Sequence, residues 1–421
     1  MSLLSRRHFL GALAALVSCG LSLANLPRGR VVIVGGGWGG LAAARRLRQL
    51  APELDVVLVD RGSGFCSLPL SNKWLVDRTP DDLVRQDYGV TARAWGYQAL
   101  QAEVSAIDRE QRRVLTSRGT LNYDWLILAA GIRHDYRPWF GEDGVAAELA
   151  RSTYPSGFMA AELPALKRKL MAFQGGDLLM SIPPPPYRCP PAPYERAVMI
   201  AWFLKTRGIK GRLVLVDGGG GMPRFNRLFA ERYKEQILHF THTPVKSVDL
   251  ARKAIVTEYD DIAFDDAMLI PPQQAADLLW QAGLVETAGE SRGWGVVDPL
   301  HLNVPGDERV FLIGDALGRV SPLFGAYPKT AHMATRLGQI AAGEIASRSR
   351  GQIPPLQLPE TICHVYTDLE PMEMLRIDAQ YRLRGDGLIS QSLRQYDEPQ
   401  PRGEDVQWAR ALSGEFLAPF P

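Results

Sequence analysis

The sequence predicts an α/β protein: two parallel-sheet units with helices between their strands, then a smaller C-terminal α+β segment. Three observations carry that reading. Val31-Val32-Ile33-Val34 is a continuous apolar run, as expected of a strand buried on both faces, and a glycine-rich turn and a helically spaced stretch, Leu41 to Leu50, follow it. Leu178-Leu179-Met180 opens a second strand–turn–helix unit, which closes on Leu213-Val214-Leu215-Val216 and Asp217. Val310-Phe311-Leu312-Ile313 is a late buried strand running into Gly314-Asp315, far enough from the first strand to imply that one domain is interrupted by another.

The chain has 421 residues, enough for two or three domains with sizeable cores. The expected division is 1–24 leader, 25–154 first domain, 155–290 inserted domain, 291–351 return to the first domain, and 352–421 tail. A net charge of +2 gives no argument for nucleic acid or an anionic surface. Four cysteines are too few for a disulfide scaffold, and no Cys-x-x-Cys pair or metal-ligand spacing occurs.

The leader is read from Arg6-Arg7-His8-Phe9-Leu10, a twin-arginine pattern, followed by an apolar stretch and Ser22-Leu23-Ala24 as a small-residue cleavage site. This predicts a periplasmic protein exported folded around its cofactor, with no transmembrane span in the mature chain. Leu16-Val17-Ser18-Cys19 is a second processing pattern, which would leave a lipidated Cys19.

Gly35, Gly37 and Gly40 form G-x-G-x-x-G between a strand and a helix, and Asp60 ends the next strand. That context reads as a dinucleotide site. Gly35 makes the tight turn, Gly37 admits a pyrophosphate, Gly40 lets helix and strand pack, and Asp60 meets the ribose. The Ala129-Ala130-Gly131 turn and the Gly314-Asp315 turn follow in the order of two-dinucleotide flavoproteins, so the cofactor is read as FAD and the fold as two Rossmann-like domains in a glutathione-reductase-like arrangement.

The second unit has Pro183 to Pro186, Pro190, Pro191 and Pro193 around Cys189 where a nucleotide loop would have glycine. Proline offers no N–H, and its ring obstructs close approach. This unit therefore reads as a Rossmann-like domain without an NAD(P)H site, whose stiff loop presents Cys189 to the flavin.

The stretch Arg188-Cys189-Pro190-Pro191-Ala192-Pro193-Tyr194-Glu195-Arg196 resembles the redox-cysteine loop of the flavoprotein subunit of flavocytochrome c sulfide dehydrogenase, a relative of sulfide:quinone oxidoreductase. Ser71-Asn72, Ile270-Pro271-Pro272-Gln273, Trp294, Gly314-Asp315-Ala316 and Pro328-Lys329 extend the resemblance along the mature chain. It implies oxidation of sulfide or another reduced sulfur compound through Cys189 and FAD, with electrons passing to a c-type cytochrome. It also implies Glu195 as proton acceptor, and Asn72 and Lys329 at the cofactor. Two alternatives stand beside it: direct hydride transfer from another donor with Glu195 as base, or a non-catalytic accessory flavoprotein of sulfur oxidation.

The resemblance breaks at two cysteines. The family's second redox cysteine falls at Leu317, so Cys189 is expected to lack its disulfide partner. The flavin-linking cysteine falls at Leu68, so FAD is expected to be held non-covalently, with Cys66 two residues away. Arg188, Arg196 or the helix after Cys189 is expected to lower the thiol's pKa. Cys363 reads as structural, able to meet Cys189 only if the tail folds back over the flavin.

Overall fold

The computed structural model describes residues 29–79 and 83–420. The twin-arginine leader and Cys19 lie outside the described residues. Strand β1 (Arg30–Val34) leads through the glycine turn to helix α1 (Trp38–Leu50), then to β2 (Asp55–Asp60), β3 (Gln98–Gln101) and β4 (Trp125–Leu128). The inserted unit follows as β5 (Gly175–Ile182), α2 (Ala192–Thr206), β6 (Lys210–Asp217), β7 (Ile237–Phe240) and β8 (Asp266–Leu269). The chain then returns through β9 (Asn303–Val304), β10 (Asp307–Leu312) and α3 (Ala331–Arg348), and ends in β11 (Glu360–Leu369), β12 (Met372–Leu383), β13 (Ile389–Pro399) and α4 (Glu404–Gly414).

The first sheet has the order β9-β10-β4-β1-β2-β3, parallel except at the β9 edge. Val31 pairs with both Val56 and Trp125, so β1 is central, and Val31 to Ile33 are fully buried. The second sheet has the order β7-β6-β5-β8, all parallel. Both carry helices between parallel strands, the doubly wound pattern that the buried apolar runs predict.

Helix α2 explains where the tail goes. Ala197 to Ala201, Phe203 and Leu204 are all buried, so the helix is apolar nearly all round. Such a helix needs cover on more than one face. The second sheet covers one side, and β11 of the antiparallel β11-β12-β13 sheet covers the other, with Val365 and Tyr366 in the same apolar cluster as Tyr194, Ala197 and Phe225. An ion pair at 2.8 Å between the half-buried Lys73 and the buried Asp405 ties α4 of the tail to the first domain. Among the described residues no helix is long and apolar enough to cross a membrane.

Candidate functional site

The glycine turn is built as its spacing requires. Gly35 has φ +106°, and a Cβ there would lie 2.4 Å from the Ala129 carbonyl oxygen. A Cβ on Gly40 would lie 1.9 Å from the Gly35 oxygen, so α1 can approach β1 only without one. A Cβ on Gly37 would meet nothing within 4 Å, so the turn faces open space there. Asp60 accepts the Gly36 and Gly62 amides at 2.7 Å each, one on each carboxylate oxygen. That steadies the turn and leaves each oxygen further lone-pair capacity.

At the C-terminal end of β10, Gly314 has φ +76° and opens a short 3₁₀ turn holding Asp315. Asp315 Oδ2 accepts Arg188 Nε at 2.7 Å, while Oδ1 is buried with no protein partner. Gly131, at φ +70°, lies beside the Arg188 guanidinium, with Ala130 preceding it. Lys329 is buried; its Nζ donates to the Asp315 and Leu317 carbonyls at 2.9 and 2.5 Å and lies 3.7 Å over the Trp294 ring. Burial pushes its pKa down to about 7, although the Asp315 charge opposes the fall. The open turn at Gly37 and the unpartnered buried Asp315 oxygen fit FAD: both await polar groups that the protein does not supply.

Cys189 reaches this end of the molecule by backbone bonding. Its N–H donates to the Lys329 carbonyl at 2.8 Å, and its own carbonyl accepts the Ala192 amide at 2.9 Å. It sits at φ +51°, a left-handed conformation that costs a non-glycine residue about 1–2 kcal/mol. The proline loop and these two bonds hold it there, a placement typical of functional positions. The proline loop also closes the nucleotide place of its own unit. The Pro184 ring packs against Gly218, where a Cβ would lie 2.7 Å from it. Asp217, the acid that would bind a ribose, is buried and taken by Tyr194 Oη at 2.7 Å and the Gly219 amide at 2.8 Å.

Glu195, in the first turn of α2, is held by two donors: Asn72 Nδ2 at 2.7 Å and the Tyr366 amide at 2.9 Å. Burial raises its pKa to about 7, with those two hydrogen bonds pulling the other way. Asn72, expected at the cofactor, spends its side chain on Glu195, on the Ala192 carbonyl and on Arg196 Nε. Its role in this structure is to position the carboxylate. Similarly, Lys329 Nζ is bound to two carbonyls of the Asp315 turn.

The expected lowering of the Cys189 pKa does not occur. Burial pushes the thiol up to about 12, the Glu195 charge adds to the rise, and the Ala192 amide and Arg188 only partly oppose it. The Arg196 guanidinium is itself buried and hydrogen-bonded to Asn72 and the Ser156 and Gly157 carbonyls, and its charge does not offset the burial of the thiol. Cys189 is therefore a thiol at neutral pH, beside a carboxylate that titrates there.

Leu317 is 2% exposed and belongs to the first domain's core. Cys66 and Leu68 both pack, half-buried, against the second unit's apolar cluster, as residues two apart on an extended segment should. One participant escaped sequence reasoning. The Tyr366 amide carries no sequence signal because any residue but proline supplies an N–H. Cys363, on β11, packs against the α2 cluster.

Comparison with known proteins agrees with this fold. The pyridine nucleotide-disulphide oxidoreductase family matches residues 29–161, and the central region of the sulfide dehydrogenase (flavocytochrome c) flavoprotein chain matches residues 164–271. The mitochondrial sulfide:quinone oxidoreductase of Mus musculus is 24% identical over 303 residues, 68% of this chain and 65% of the mouse protein. The sulfide dehydrogenase flavoprotein chain of Chlorobaculum thiosulfatiphilum is 49% identical over 43 residues, 10% of this chain and 90% of that sequence. Among solved structures, the sulfide:quinone oxidoreductase of Aquifex aeolicus superposes with a TM-score of 0.73 at 19% identity, covering 93% of this chain and 92% of that one.

Proposed function

Because the chain belongs to the sulfide:quinone oxidoreductase-like flavoproteins, of pyridine nucleotide-disulphide oxidoreductase fold and FAD-binding, we propose that it oxidises sulfide or another reduced sulfur compound at Cys189 and passes the electrons to a c-type cytochrome in the periplasm. The observation that carries this reading is Cys189 itself, held at positive φ between the Lys329 carbonyl and α2, next to Glu195. Forming an S–S bond between a thiol and hydrogen sulfide releases two protons and two electrons. Bound FAD supplies the two-electron sink, able to release electrons singly. The chain's own residues do the rest. Gly35, Gly37, Gly40 and Asp60 would hold the adenosine and pyrophosphate end, and Asp315, with Ala130 and Gly131 nearby, would meet the remainder. Cys189 carries the substrate sulfur. Glu195, with its pKa near 7, takes a proton that the thiol would otherwise keep to about pH 12. The cytochrome partner is supported by the likeness of the central region to the flavocytochrome chain, and export by the arginine pair of the leader.

Anaerobic titration of the FAD-loaded protein with sulfide tests this. Rapid bleaching of the flavin is expected, and Cys189→Ser should slow it by orders of magnitude while FAD stays bound. A mutant within about threefold of the parent, under about 1 kcal/mol in the barrier, would remove Cys189 from the reaction. FAD-loaded protein that sulfide and thiols leave unbleached would remove the sulfur reading altogether.

A further inference from the structure

We propose that residues 415–418 are a strap across the dinucleotide turn, and that FAD is retained because this strap positions the turn. Helix α1 begins at Trp38, directly after Gly37, so the Trp38 ring moves with the turn. Phe416 is fully buried and meets that ring edge-on, with centroids 5.3 Å apart. Phe65 meets both, at 5.2 Å from Trp38 and 5.5 Å from Phe416. Three rings, each edge-to-face with the other two, form the arrangement that aromatic quadrupoles favour.

Two residues after Phe416, Ala418 donates its amide to Gln86 Oε1 at 2.7 Å, and its carbonyl accepts Gln86 Nε2 at 3.0 Å. Gln86 and Phe65 are themselves opposite each other in the short antiparallel pair Gly64–Cys66 and Arg85–Asp87. The chain then runs from Gln86 to Tyr88, whose Oη donates to the Gly36 carbonyl at 3.0 Å, while Asp60 accepts the Gly36 amide at 2.7 Å. Gly36 is thus held at both its N–H and its C=O. It is also close against Tyr88, since a Cβ there would lie 2.4 Å from the ring.

The other end of the strap is fixed to α3. Glu415 accepts Arg336 at 3.0 Å and Gln339 at 2.7 Å. Those residues bracket Gly338, where a Cβ would lie 2.2 Å from the Gly39 carbonyl oxygen, so α3 presses on the first turn of α1. Arg45 of α1 adds a bond to the Gly414 carbonyl at 2.8 Å. Residues 415–418 are therefore positioning residues: they act on the turn, and the turn acts on the pyrophosphate. A loop that must aim its N–H groups at a ligand binds more tightly when it is fixed beforehand. The strap rests on FAD binding and needs no sulfur chemistry.

The test uses the full-length FAD-loaded protein. It is diluted, and release is followed by the rise in fluorescence as FAD leaves. Phe416→Ala is compared with Phe264→Ala, which removes a buried ring packed on Tyr154 in the inserted unit. Each variant is measured at the same interval below its own Tm, which takes out a general loss of stability. Phe416→Ala should release FAD at least about fivefold faster than the control, the equivalent of one buried aromatic pair; a smaller ratio would overturn the strap. If Phe416→Ala fails to fold, Glu415→Ala, at a half-buried carboxylate, is judged by the same ratio. The rate is read without sulfide, so the two claims separate. A parent that sulfide leaves unbleached removes the sulfur reading and keeps a strap that passes. Bleaching of the parent, with release from the strap variant no faster than from the control, removes the strap and keeps the sulfur reading.

Discussion

Glu195 changes charge near pH 7 because burial raises its pKa from about 4.5 to about 7, against the pull of the Tyr366 amide and Asn72. As a proton acceptor it must be ionised, so sulfur-dependent flavin reduction should rise with pH through about 7. Glu195→Gln should lose that limb and slow reduction by about 10²–10⁴-fold. An unchanged limb in the variant, followed by stopped-flow across pH 5.5–8.5, would assign the titration elsewhere. The amide would also set one N–H₂ against a donor, since both Glu195 partners donate, and about 1–3 kcal/mol of stability should go with it, read as a lowered Tm. In the parent, the folded state holds this proton more tightly than the unfolded chain. Its contribution to stability is therefore full below about pH 4.5 and is lost as pH rises through about 7. Cys189 and Glu195 were legible in the sequence as a cysteine and an acid in one proline-rich loop. The direction of the Cys189 shift was not, because it depends on how deeply the folded chain buries the thiol and on Glu195 lying beside it.

Between β5 and α2 the chain keeps the shape of a nucleotide loop and fills its space. Pro184 packs on Gly218, and Asp217 is bound to Tyr194 and Gly219. NADH and NADPH should therefore fail to reduce the flavin, and millisecond bleaching by NADH in stopped-flow would contradict the assignment. The segment carrying Cys66 and Leu68 makes a second statement at this scale. Leu68 offers no thiol and Cys66 packs against the second unit's core, so FAD should be non-covalent. Acid precipitation should leave yellow FAD in the supernatant; flavin retained on a peptide containing Cys66 would mean a covalent link. Strands were readable because buried parallel strands are continuous apolar runs, as in β1 and β10. The seating of β11 was not readable, although a helix as uniformly apolar as α2 could have signalled that a further layer must cover it.

For the whole molecule, the interrupted first domain brings β10 beside β4, and with it Asp315 to the cysteine loop of the inserted unit. The candidate site thus sits where two sheets and the tail converge, and no one of them contains it. The twin-arginine route we propose would carry the chain across the membrane already folded, with this site assembled. Replacing Arg6 and Arg7 by lysine should leave folded, flavin-loaded protein in the cytoplasm, measured by fractionation; periplasmic accumulation of the double variant would refute the route. The seating of β11 has a consequence in time. Synthesis proceeds from the N-terminus and domains fold as units when they emerge. A nascent chain displaying both Rossmann-like units already owns Cys189 and Glu195, yet not β11, which covers the start of α2, so Glu195 would lose the burial that raises its pKa and titrate nearer the ordinary carboxylate range. The ribosome must therefore deliver β11 before the site can handle protons near neutrality, and the order of translation itself delays the chemistry until the chain has been made past its second domain.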